Sequence, residues 1–295
     1  MYKKVLVPLD GSSAAEIVLP YLEEIAAKLG TEITMVTISE SSATDIEHLY
    51  RSYLEHLTGQ VRRELNEYGA KEGLAVNSEV LLGIPSDEIA RCAAEVDVGL
   101  IAMASTGSSG QGPLLLGNIT PKIIRSTDRP LLLIRVPASS EALQQKRLVK
   151  KILVPLDGSR VGETAILHSE ALARALGAEL ILIQIIEPVV AWAGFEGSMS
   201  YVAPQDEEGM KSAAIAYLSS IAKPLKESGL STSIAIGFGA SADQIIDYAV
   251  ANAIDLIAVS SHGRSGIGRW LFGSVTSKFL RAADTPLLVI RATKA

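Results

Sequence analysis

Lys4-Val5-Leu6-Val7-Pro8-Leu9-Asp10-Gly11-Ser12 returns 147 residues later as Lys151-Ile152-Leu153-Val154-Pro155-Leu156-Asp157-Gly158-Ser159. Each copy is a short apolar run closed by Pro-Leu-Asp-Gly-Ser, which reads as a buried strand running into a tight turn. Later landmarks repeat as well: Gly73-Leu74 with Gly229-Leu230, Gly107 with Gly263, Gly117 with Gly273, and Arg129-Pro130-Leu131-Leu132-Leu133-Ile134-Arg135 with Thr285-Pro286-Leu287-Leu288-Val289-Ile290-Arg291, now at an offset of 156. The extra nine residues enter after Glu40/Glu187, so the second copy has a longer loop there. A period this long means two duplicated domains, not a stack of small repeats.

Within each copy, apolar runs alternate with helical patterns, which is the signature of βαβ units and a parallel sheet. The strands expected are 4–9, 32–38, 75–82, 98–104 and 131–136, then 151–156, 179–186, 231–238, 255–260 and 286–291. Ser13-x-x-Glu16 reads as a capping box opening the first helix, Pro20 as a kink within it, and Gly30 and Gly177 as helix C-caps. The segment 137–146 carries no strand pattern and follows the fifth strand, so it reads as the linker between a domain at 1–140 and another at 148–295.

Composition narrows the class. With 295 residues, 48% hydrophobic, 20% charged and a mean hydropathy of +0.28, the chain can bury two cores and is not disordered. Apolar runs fall short of the ~18 residues of a membrane span, and Met1-Tyr2-Lys3-Lys4 runs straight into a strand pattern, so a cytoplasmic protein is expected. The single cysteine, Cys92, reads as a small core residue. Residues 1–146 hold 13 Lys/Arg against 19 Asp/Glu and residues 147–295 hold 14 against 14, so no basic face is available for nucleic acid.

Two features at strand ends carry candidate chemistry. The Asp of Pro-Leu-Asp-Gly-Ser can accept hydrogen bonds from a ribose or an adenine, or can simply organise its own turn. After the fourth strand of the second copy comes Ser260-Ser261-His262-Gly263-Arg264-Ser265-Gly266-Ile267-Gly268-Arg269-Trp270-Leu271-Phe272-Gly273-Ser274. Its glycines let backbone N–H groups approach an anion, Gly273-Ser274 opens a helix, and Arg264 and Arg269 can neutralise phosphate charge.

These residues resemble the universal stress protein family, whose nucleotide-binding members carry Gly-x2-Gly-x9-Gly-(Ser/Thr) after strand four and an Asp after strand one. The match in the second copy is Ser260-x2-Gly263-x9-Gly273-Ser274, with Ser260 in place of the first glycine. In the first copy it is Ala104-x2-Gly107-x9-Gly117-Asn118, a degenerate motif with no charge between the last two glycines. The resemblance implies two open five-stranded parallel sheets of order 3-2-1-4-5 with helices on both faces. It implies ATP, with or without Mg, across the ends of strands one and four.

By matching positions, Asp157 faces the ribose, Pro155, Leu156, Ile185 and Val259 frame the adenine, and Gly263, Gly273, Ser274 and Val275 hold the phosphates. The first-half counterparts are Pro8, Leu9, Asp10, Ile38, Met103, Gly107, Gly117, Asn118 and Ile119. Family members pair through their fifth strands, so the two halves are expected to mimic a dimer inside one chain. Association of two chains is left open.

Other motifs weigh less. Gly237-Phe238-Gly239-Ala240-Ser241-Ala242 fits a dinucleotide fingerprint but follows the third strand of its copy, so it reads as a turn. No Gly-x4-Gly-Lys-(Ser/Thr) loop, no Gly-x-Ser-x-Gly elbow and no metal-ligand spacing among His48, His56, His168 and His262 occurs. Trp192, Phe195, Met199 and Tyr201, in the longer loop, read as a lid, a partner-binding loop or packing onto their own domain. The expectation is an ATP-binding stress-response regulator, non-catalytic or a very slow ATPase, with the nucleotide mainly in the second half. The rivals are an interaction protein that needs no nucleotide and, more remotely, an adenylate-forming enzyme.

Overall fold

A computed structural model describes residues 1–105, 117–135, 149–187, 207–261 and 273–291. The first half runs β1 (Lys4–Pro8), α1 (Ser13–Glu16), α2 (Leu19–Leu29), β2 (Glu32–Ser39), α3 (Thr44–Glu67), β3 (Val76–Leu82), α4 (Pro85–Glu95), β4 (Leu100–Ala104), α5 (Thr120–Ser126) and β5 (Leu131–Ile134). The second runs β6 (Lys151–Pro155), α6 (Thr164–Leu176), β7 (Glu179–Ile186), α7 (Glu207–Glu227), β8 (Thr232–Phe238), α8 (Ser241–Ala251), β9 (Leu256–Ser260), α9 (Ser274–Ala282) and β10 (Leu287–Ile290). Each expected strand is present within about two residues at either end. The linker 137–146 and the loop holding Trp192, Phe195, Met199 and Tyr201 lie outside the described residues.

The near-continuous apolar runs have their cause in burial on both sides. Val5, Leu6 and Val7 are all fully buried, Val5 and Val7 in the core under α2, α3, α6 and α7, Leu6 in the core under α4, α5, α8 and α9. Burying each such side chain is worth about 1.5–3 kcal/mol. The parallel strands order themselves 3-2-1-4-5 in each half, and the halves then merge into one ten-stranded sheet, β3-β2-β1-β4-β5-β10-β9-β6-β7-β8. Its only antiparallel pairing among the described strands joins the halves, with Leu131, Leu132 and Leu133 opposite Val289, Leu288 and Leu287. The sheets are therefore closed where they meet, and open only at β3 and β8.

Side chains lock the join. Buried Arg135 donates from Nε to Ala283 O (2.7 Å) and from Nη2 to Leu280 O (3.1 Å), at the C-terminus of α9. Arg291 donates from Nη1 to Thr127 O (2.7 Å), just past α5. The offset of 156 maps one arginine contact onto the other, which is the pseudo-two-fold relation of an internal dimer. Helices α2 and α6 pack on each other across the halves, where Tyr2 Oη lies 2.7 Å from His168 Nδ1. Buried Glu24 of α2 accepts from Val149 N (3.2 Å), and burial pushes its carboxyl up.

Two local expectations need correction. The cap of α1 is Ser12, whose hydroxyl accepts from Ala15 N, while Glu16 instead accepts from Tyr53 Oη at 2.9 Å. Pro20 does not kink a continuous helix; it occupies the first turn of a new one, α2, where its missing N–H costs nothing. Gly30 (φ 67) and Gly177 (φ 64) are left-handed C-caps, as the sequence indicates. Cys92 is buried. No helix among the described residues is long and apolar enough to cross a membrane.

Candidate functional site at the strand ends

In each half the first strand has its two neighbours on opposite sides, β2 and β4 for β1, β7 and β9 for β6. Connections leaving the strand ends part there, and a crevice opens at the carboxyl edge. Both crevices are cavities, about 650 Å³ in the second half and about 560 Å³ in the first. Pro155, Leu156, Asp157, Ile185, Val259, Ser260, Gly273, Ser274 and Val275 all line the larger one. Pro8, Leu9, Asp10, Ile38, Met103, Gly117, Asn118 and Ile119 all line the smaller. Gly107, Gly263, Arg264 and Arg269 lie outside the described residues.

The aspartate turns are built alike. Gly158 (φ 83) and Gly11 (φ 82) take the left-handed conformation that reverses the chain directly after the carboxylate. Asp157 Oδ1 accepts from Ser159 N (3.0 Å) and Ser159 Oγ (2.6 Å), and Asp10 Oδ1 accepts from Ser12 N (3.0 Å) and Oγ (2.5 Å). The carboxylate thus fixes its own turn, one of the two roles the sequence left open, and it also lines the cavity. Ser159 Oγ then accepts from Gly162 N at 3.0 Å.

Across the crevice, the residues flanking 262–272 are pinned. Ser261 N donates to Ile290 O (2.7 Å), Gly273 N to Ser261 O (2.9 Å), and Thr276 Oγ1 to Ser260 O (2.9 Å). Thr164 Oγ1 donates to Ser260 Oγ (3.2 Å), so the serine standing in the first glycine position is tied to α6. Ser105 N to Ile134 O (2.8 Å) and Gly117 N to Ser105 O (2.9 Å) repeat the arrangement in the first half.

The helix starts differ. In α9, Gly273 is an extended N-cap and Ser277 N donates back to its carbonyl at 2.9 Å, leaving the N–H groups of the first turn without helical acceptors. At the position matching Ser277 the first half has Pro121, which has no N–H to give, and α5 begins at Thr120, two residues later than α9. The positive helix end that attracts anions is therefore intact in the second half and shortened in the first.

Sequence reasoning missed the helical wall. Met210, Ala213, Ala214 and Tyr217 of α7 line the second cavity at helical i, i+3, i+4, i+7 spacing, a stripe that could have been read as facing the site. Tyr217 donates to Glu163 Oε1 (2.9 Å); burial and this carboxylate hold its hydroxyl well above the usual range, so it stays protonated. Gln184 and Glu187 also line this cavity, and Glu187 Oε1 accepts from Ser241 N (3.1 Å) at the start of α8. In the first half the unforeseen lining includes Ser39, Glu40 and Tyr50.

Gly237 is explained by packing: it pairs with Ile185, and a Cβ there would lie 2.6 Å from Ile185 Cδ1. The fingerprint it belongs to is a strand end and turn leading into α8, as expected. His48 and His56 are exposed on α3, His168 faces Tyr2, and His262 lies outside the described residues. Among the described residues, no group of three or more His, Cys, Asp or Glu is placed to hold a metal.

The model of the universal stress protein family matches residues 1–135 and again 149–291. The chain belongs to the universal stress protein family. It is 26% identical to universal stress protein Slr1230 of Synechocystis sp. over 98% of this chain and all of that one, and 30% identical to universal stress protein MJ0531 of Methanocaldococcus jannaschii over 46% of this chain and 84% of that one. The crystal structure of a universal stress protein from Archaeoglobus fulgidus superposes with a TM-score of 0.68 at 18% identity, covering 99% of this chain and 100% of that one. A putative universal stress protein from Pseudomonas aeruginosa gives 0.70 at 16% identity, over 98% and 93%. At these identities the structural likeness concerns the fold. As a tandem universal stress protein, the chain carries its pseudo-dimer internally, through β5 and β10.

Proposed function

We propose that this protein is an ATP-binding regulator whose nucleotide sits in the second-half cavity and is turned over slowly or not at all. The halves, 1–140 and 148–295, then act as one body with one competent nucleotide site. The reading is carried by a single observation: one cavity collects an apolar slot, a turn carboxylate and a helix N-terminus. Pro155, Leu156, Ile185, Val259 and Val275 supply the slot, a fit for a flat base. Asp157 is an acceptor for ribose hydroxyls. Gly273 and Ser274 open α9, whose first-turn N–H groups and dipole favour phosphate oxygens. Arg264 and Arg269 lie in the sequence between Ser261 and Gly273 and supply two positive charges to the same stretch.

The test is direct. Purified protein is denatured and the released nucleotide is quantified by chromatography and mass spectrometry. About one adenine nucleotide per chain is expected, or, from stripped protein, a single ATP site by calorimetry. Gly273→Ala combined with Ser274→Ala should weaken ATP binding by roughly tenfold or more, since both alter the cap that presents the N–H groups. Unchanged affinity in that variant would remove the assignment, and absence of any bound or bindable ATP would favour a protein that works through its surfaces alone.

A further inference from the structure

We infer that the first-half cavity binds an uncharged nucleoside, so that the two halves of one chain read the same base-and-sugar shape with and without phosphate. This rests on the assignment of the second cavity to an adenine nucleotide. The base slot is retained position for position: Pro8, Leu9, Ile38, Met103 and Ile119 line the first cavity where Pro155, Leu156, Ile185, Val259 and Val275 line the second. The Asp10 turn repeats the Asp157 turn down to its hydrogen bonds. A slot and a carboxylate at matching positions along the strand ends suit the same base and ribose.

The phosphate end is what changed. Pro121 removes the N–H that would close the first turn of α5 onto Gly117 O, and the helix is only seven residues long. Residues 106–116 contain no charged side chain, where 262–272 contain Arg264 and Arg269. The two carboxylates lining the first cavity, Asp10 and Glu40, have their counterparts in Asp157 and Glu187 of the second. Among the described residues no Lys or Arg lines either cavity, so the difference in charge lies in the sequences 106–116 and 262–272 that follow the fourth strand of each half. A triphosphate there would face two carboxylates, and the sequence 106–116 has no Lys or Arg to offset them. Ribose hydroxyls, by contrast, are donors that a carboxylate accepts. The cavity, at about 560 Å³, keeps ample room for a nucleoside.

The experiment uses the full chain and adenosine and ATP as probes, read by isothermal titration calorimetry. Ser274→Trp and Asn118→Trp, both at exposed positions at the cavity mouths, block the second and first cavities without touching a core. In Ser274→Trp, adenosine is expected to bind at one site per chain, with ATP roughly tenfold weaker or more at that site. Adding Asn118→Trp to it should abolish that remaining adenosine site. The inference is overturned if Ser274→Trp binds no adenosine, if ATP binds it as tightly as adenosine, or if the added Asn118→Trp leaves adenosine binding intact. Should the unaltered protein bind no ATP while Ser274→Trp still binds adenosine, only the nucleotide assignment of the second cavity fails.

Discussion

Replacing Arg135 by Ala tests what holds the halves together. Its guanidinium is buried at 7% exposure and bridges Ala283 O and Leu280 O at the negative end of α9. Losing two charge-assisted hydrogen bonds at a buried site costs about 1.5–3 kcal/mol each. Part is returned, because Nη1 is buried without a partner and burial already pulls the guanidinium pKa down; relief of that desolvation is worth about 1–3 kcal/mol. Taking the middle of each range, the net expectation is a loss of about 2.5 kcal/mol. Arg291, the pseudo-two-fold counterpart, is exposed and makes one short bond, to Thr127 O at 2.7 Å, so Arg291→Ala should cost about 1 kcal/mol or less. Urea unfolding followed by far-ultraviolet dichroism measures both. Equal costs for the two variants, or less than about 1 kcal/mol for Arg135→Ala, would refute this account of the join.

Two further outcomes follow from the same geometry. Burial, with the nearby N-terminal charge, holds the His168 imidazole below its ordinary value of 6.5, so the folded chain binds fewer protons there than the unfolded one. The contribution is complete above that value and is lost as pH falls through the folded pKa; His168→Gln should flatten the stability profile on the acid side of neutrality, and an unchanged slope would contradict it. Gly237→Ala should push the Ile185 side chain, 2.6 Å from the added Cβ, toward the nucleotide slot; ATP affinity is expected to drop several-fold, and an unchanged dissociation constant would show that Ile185 yields elsewhere.

The repeat made much of this legible. Strand positions and the Gly30 and Gly177 caps follow from local patterns that survive in both copies, because buried strands favour apolar side chains on both faces, whereas the order of each half-sheet comes only with the family resemblance. Less than half of each cavity's lining could be named, the part at strand ends where the repeat and the family motif coincide; much of the rest comes from helices and loops that no motif marks. The parts that escaped depend on distance. Nothing near Arg135 in sequence announces carbonyls 145 and 148 residues away, and nothing near Glu24 announces Val149 N. Ser12 rather than Ser13 caps α1, since the turn after Gly11 places Ser12 in extended backbone with its hydroxyl toward Ala15 N. Pro121 was open to view, but its effect emerges only against Ser277, once the structure shows that Ser277 N closes the first turn of α9.

The join and the cavities share two helices, and this couples each half's cavity to the packing of the other half. One end of α5 borders the first cavity through Ile119 and Thr120, and its other end is held by Arg291 of the second half. One end of α9 borders the second cavity through Gly273 and Ser274, and its other end is held by Arg135 of the first half. Ile123 and Ile124 of α5, like Phe279 and Leu280 of α9, fill the core beneath the sheet. Substitution at the N-terminus of α5 therefore changes what the cavity can bind at little structural cost, whereas its body and C-terminus are fixed by packing and by the partner half. A pair of separate, identical chains has no such freedom, since every change would appear at both cavities at once; fusing the halves is what lets one cavity diverge while the sheet stays whole.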